Sequence, residues 1–139
     1  MTVITPFDTL AKVAEDINMA SEHLQEALRE IDTRLAALHV GVEVWLDEAV
    51  TFENSTWRIG YGRTRHGWGL RILRRLDDNG SVGYPILLTN ASRVERIQSV
   101  LYIPRVLHAL EVAAQSVTEH LKHAFTVTAR IVDSLPPKA

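Results

Sequence analysis

The chain contains no cysteine. That excludes disulfides, thiol nucleophiles and cysteine-based zinc sites, and it accords with a reducing compartment. No apolar run approaches the roughly 20 residues of a bilayer span, so no membrane partner is expected. The opening residues, Met1-Thr2-Val3-Ile4-Thr5-Pro6, lack the basic stretch followed by an apolar run that marks a secretory signal. A cytoplasmic protein is therefore expected, and the sequons at Asn54 and Asn90 carry no weight. Internal repeats, low-complexity tracts and linkers are also missing. With 139 residues, 46% of them hydrophobic and 23% charged, the composition is that of one ordinary globular domain over 1–139.

What the chain has is two long apolar stripes. One reads Leu10, Ala14, Ile17, Ser21, Leu24, Leu28, Ile31, Leu35, Leu38; the other reads Ile103, Leu107, Leu110, Ala114, Val117, Leu121, Ala124, Thr128, Ile131, Leu135. Steps of four and three alternate without a break, which keeps one face of an α-helix apolar over its whole length. Thr5 as N-cap, Pro6 at the first position and Asp8 in the first turn open the first helix. Gly41 is placed to take the left-handed conformation that closes it. The expected span is about 6–39.

Between the stripes lies an antiparallel sheet over about 41–89. Val42, Val44 and Leu46 alternate with polar or outward residues, as do Trp57, Ile59 and Tyr61, then Trp68, Leu70 and Ile72. Asp77-Asp78-Asn79-Gly80 is the strongest turn signal, and Pro85 marks the last segment as an edge or a strand beginning. Ser92 with Glu95 forms a capping box that opens a helical region over about 92–134. Pro104 falls inside it and predicts a kink or break near Leu101 to Ile103. Residues 135–139 read as a frayed tail. The fold class is α+β: two long terminal helices, the second kinked near Pro104, on one face of a three- to four-stranded meander.

A helix of about 34 residues is roughly 50 Å long, whereas a compact domain of this size is about 37 Å across. Each helix should overhang, and an overhanging stripe needs a cover. The two helices can cover each other antiparallel. Val13, Ala20 and Ala27 widen the first stripe, and Val106, Ala113 and Val127 the second, so each face suits more than one neighbour. A homodimer in a four-helix arrangement is expected, with Leu24, Leu28, Leu110, Ala114, Val117 and Leu121 as helix-pair core or oligomer interface. The plainer alternative is an elongated monomer covered by its sheet.

Charge is segregated. Residues 1–55 carry eleven acids against three bases, a net of −8; residues 56–105 carry nine arginines against three acids, a net of +6. Trp45, Arg58, Arg71 and Arg75 fall on the sheet face away from the helices, beside Gly60 and Gly62. They make a candidate anion or nucleic-acid surface. The competing expectation is that Glu43 and Asp47, one strand away, pair with these arginines; charge reversal would then cost about 1 kcal/mol. Gly60-Tyr61-Gly62 and Gly67-Trp68-Gly69 do not join a strand to a helix, so they are not phosphate loops. His120 and His123 lack a third ligand, and no metal or cofactor is expected. No nucleophile–base or paired-carboxylate spacing is present. The expected function is a non-enzymatic, homo-oligomeric protein–protein interaction module. The alternatives are a nucleic-acid-binding module and an enzyme whose residues converge from distant positions.

Overall fold

The computed structural model describes residues 5–75 and 83–138. Helix α1 spans Pro6–Ala37, and five strands follow: β1 (Val44–Trp45), β2 (Val50–Phe52), β3 (Ser55–Thr64), β4 (Gly67–Arg74) and β5 (Ile86–Leu87). A 3-10 turn at Leu88–Asn90 leads to α2 (Arg93–Val100) and α3 (Ile103–Ser134). The fold is α+β, with three helices and a five-stranded antiparallel sheet among the described residues. The expected turn at Asp77–Gly80 lies outside the described residues.

The end signals act as their chemistry requires. Thr5 and Asp8 form a reciprocal capping box on α1, with Pro6 at the first position. Hydrogen bonds from Thr5 hold the Asp8 carboxyl below its ordinary pKa. At the other end His39, not Gly41, directly follows the cap residue Leu38 in a left-handed conformation (φ 50°), and Gly41 follows with φ 64°. The expected 92–134 helix is broken at Leu101-Tyr102, and Pro104 falls in the first turn of α3, where its missing amide costs nothing.

The sheet is built on β3. It pairs with β4 along its length, and its other edge is shared by β1 at Gly60 and Tyr61 and by β2 at Ser55 to Trp57. The first expected strand is reduced to β1, and β2 is a further strand that the alternation did not mark. Just past β1 the Leu46 amide still donates to the Ile59 carbonyl at 2.9 Å, while its own carbonyl accepts from Arg58 Nε (3.2 Å) and Nη2 (3.0 Å). β5 is only two residues long, directly after Pro85. Register places Trp57, Ile59, Tyr61, Leu70 and Ile72 on one face, where they form the core with Leu28, Leu88, Val106 and Leu110.

Polar contacts fix α1 and α2 to this core. Trp57 Nε1 donates to Ser99 Oγ at 2.8 Å inside the core. Glu95 caps α2 and also receives two hydrogen bonds from Arg74, at 2.7 and 2.6 Å. Burial raises the Glu95 pKa, but these donors outweigh it and hold the carboxyl below its ordinary value. Asp32 of α1 accepts the free edge amide of Leu70 at 2.9 Å, beyond the short β5.

The long helices do not form the expected antiparallel pair. α1 lies against β4 and the 3-10 turn, whereas α3 lies against β1 and β3; no extended contact joins them among the described residues. Contacts advance along α1 from Ser21 and Gln25, beside Arg96 and Thr89, to Asp32 at Leu70 and Ala36 near Trp68. That is toward the β3–β4 turn. α3 starts beside α2 and Glu48, whose carboxylate pairs with Arg105 at 2.5 Å, and also advances past β1 toward that turn. The docked parts are the second half of α1 and the first third of α3. Their free parts therefore leave the body at opposite ends.

Asp32 makes this docking sensitive to pH. Burial lifts its pKa to about 6, against the lowering effect of the Leu70 amide. A folded-state pKa above the unfolded value means that the folded protein holds the proton more tightly, so stability falls as pH rises from about 4 through 6. Asp32→Asn keeps an acceptor for Leu70 and removes the charge. It should match the wild type at pH 4 and exceed it at pH 8 by about 1–2 kcal/mol in urea titrations.

Candidate functional site

The outer face of the sheet carries the arginine–tryptophan group. Register sets Trp45 beside Gly60, and Gly60 opposite Arg71. The Arg71 guanidinium stacks on the Trp45 ring at 4.2 Å from its centroid, donates from Nη1 to the Arg63 carbonyl at 2.9 Å, and pairs through Nη2 with Glu43 at 3.1 Å. Arg58 also approaches this group, 6.0 Å from the Trp45 centroid, while bonding Leu46. Arg75 continues the same face past the end of β4, its amide donating to Thr56 at 3.0 Å.

This face has no open floor. A Cβ at Gly62 would collide with the Arg71 guanidinium, and one at Gly60 would strike the Val44 carbonyl and the Trp45 ring. The glycines make room for the chain's own side chains, and Arg71 is only 4% exposed. A base could stack on Trp45 only by displacing an arginine already stacked and ion-paired there.

The six stripe residues named from the sequence divide between body and solvent. Leu28 and Leu110 are buried against the sheet, and Leu24 and Ala114 are half-buried. Val117 and Leu121 are 39% and 64% exposed. The exposure continues through Phe125, Val127, Ile131 and Val132 on α3, and through Phe7, Leu10, Val13 and Ile17 on α1. A groove of about 470 Å³ between α1 and α2, lined by Ile17, Ala20, Leu24 and Ile97 among others, extends the apolar surface.

No family model, curated protein or solved structure matches this chain. The site must speak through its own geometry.

Chemistry is sparse. Among the described residues no group of three histidines or carboxylates could hold a metal ion. Burial lifts the Asp32 pKa to about 6, yet its carboxylate accepts from the Leu70 backbone, not from another side chain. It lies one turn before Ala36, which helps line a cavity of about 420 Å³ with His39, Tyr61 and Trp68. The Tyr61 and Trp68 rings stand 6.0 Å apart at 39°; burial and the Asp32 charge both raise the Tyr61 pKa. Sequence reading did not single out Asp32, because an acid on a long acidic helix gives no sign that it will meet a strand edge. No helix among the described residues is long and apolar enough to cross a membrane.

The burial of Arg71 changes the size of the expected mutational effect. Arg71→Glu would put a second carboxylate against Glu43 beneath Trp45, so the loss should be about 3 kcal/mol or more, above the roughly 1 kcal/mol of a surface pair. Chemical denaturation would read it. A loss under 1 kcal/mol would mean that the Arg71 stack is not formed in solution.

Proposed function

We propose that this protein is a non-enzymatic assembly module that works by pairing its long helices with those of another copy. One observation carries the reading: the apolar stripes of α1 and α3 run on past the sheet, with side chains such as Leu10, Leu121 and Ile131 53–64% exposed. Single exposed apolar residues are ordinary, but a contiguous stripe along a projecting helix is the mark of an interaction surface. The outer sheet face favours this reading over nucleic-acid binding, because Arg58 and Arg71 already have internal partners. The acids of α1 give that helix a solvated outer side and leave its apolar side clear.

The test is assembly. Light scattering at micromolar concentration should give about twice the 15.6 kDa chain mass. Leu121 is far from the sheet, so Leu121→Asp should leave the body folded and cooperative while reducing the mass to that of one chain. A wild type that runs as a single chain would overturn the reading.

A further inference from the structure

The proposed assembly leaves open which arm meets which, and the structure distinguishes them. Because α1 and α3 leave the body at opposite ends, their free parts cannot share one contact with the same parts of a single symmetric partner. The free part of α3 runs over residues 111–134, about 36 Å at 1.5 Å per residue; that of α1 covers 6–20, about 22 Å. An apolar stripe one third of a helix's circumference wide buries, in a helix pair, roughly 1,000 Å² over the α3 length and roughly 650 Å² over the α1 length. A specific interface needs about 1,000 Å². Only the α3 arm reaches it.

Charge and hydrogen bonding point the same way. Residues 6–20 of α1 carry Asp8, Glu15 and Asp16 against Lys12, so two such arms repel. Residues 111–134 of α3 carry Glu111, Glu119 and Asp133 against Lys122 and Arg130, nearly balanced. Beyond Glu111 the α3 stripe is bordered by Thr118, His120, Phe125, Val127 and Val132, none of them Lys, Arg, Asp or Glu. Thr128, its one hydroxyl, already donates to the Phe125 carbonyl at 2.9 Å, and Thr118 beside it donates to Ala114 at 2.9 Å. Both can be covered without losing a partner. The stripe is also continuous with the sheet-facing residues Val106 and Leu110, so beyond the sheet edge it looks into the space where the sheet has stopped.

Resting on the proposed function, we infer that this space is filled by the α3 arm of a second copy, antiparallel to the first about a two-fold axis near the middle of the arm. A two-fold contact closes on itself and gives a dimer, with the bodies at the two ends of a central helix pair. Val117, Leu121, Ala124 and Ile131 form its seam.

The lack of native cysteine makes cross-linking decisive, since every thiol is an introduced one. A residue near the axis meets its own copy, whereas residues away from it meet each other. Leu121→Cys, Ala124→Cys and Phe125→Cys should include at least one variant that oxidises to a covalent dimer by itself. Ala114→Cys should not self-link, but should link to Ile131→Cys when the two chains are mixed. Self-linking of Ala114→Cys would indicate parallel arms and overturn the arrangement. So would linking of Ile17→Cys to Leu121→Cys, which places the arm in the α1–α2 groove. A dimer by light scattering with no α3 link in any variant overturns the arrangement alone. A single-chain mass overturns both it and the proposed function.

Discussion

A helix longer than the surface it packs on must either end, bend or find a second surface. Here β3, the longest strand, is ten residues, about 34 Å, while α1 and α3 are each 32 residues, about 48 Å. The mismatch is made larger because the helices cover different strands and enter from the same end. Most of what distinguishes this molecule follows from that geometry: a small, well-filled core, two arms, and apolar side chains that the body cannot reach. The Trp57–Ser99 bond and the Arg74–Glu95 pair matter within this frame. They fix α2 against the start of β3, and Pro104 then sets α3 on its course over β1.

Placing all three helices on one side leaves the other side of a narrow sheet to be covered by side chains. Trp45 and Arg71 supply that cover. A guanidinium suits the position because its plane can lie flat on an indole while its edge donors reach a carboxylate and a carbonyl together. Burial of a cation is tolerable only when its donors are met. Glu43 and the Arg63 carbonyl meet two of them, while Nε is buried without a partner. The segregated charge of the chain, acidic before residue 55 and basic after it, is therefore partly an internal complementarity between the approach to β1 and the middle of β4.

Features decided by neighbours in sequence were legible in the residues. Thr5 with Asp8, Ser92 with Glu95, the break before Pro104 and the alternation of Trp57, Ile59 and Tyr61 are each set within a few positions, and the α+β class follows from them. The relation between the helices was not legible. A heptad stripe looks the same whether it covers a sheet, a helix of its own chain or a helix of another, so Leu28 and Leu121 are indistinguishable in sequence yet stand at opposite extremes of exposure. β2 was not legible either, nor was the Arg58 bond to the Leu46 carbonyl just past β1, a contact over twelve positions that alternation does not encode. The Glu43–Arg71 pairing could be anticipated as a cross-strand option, but its burial under Trp45 could not.

The composition of the arms connects folding to assembly. Isolated helices of 12 to 15 residues are marginal in water even when rich in alanine. The free part of α1 is about that long. That of α3 is longer but contains Val112, Val117, Thr118, Thr126, Val127, Thr128, Ile131 and Val132, whose branched side chains lose rotamer freedom in a helix. Local propensity therefore contributes little to keeping the α3 arm helical, whereas the burial of its valines and of Ile131 against a partner would contribute much. β-branched residues are weak helix formers in solution but pack well once a second surface fixes their rotamer. The same side chains that make the arm a poor solitary helix make it a good half of a pair.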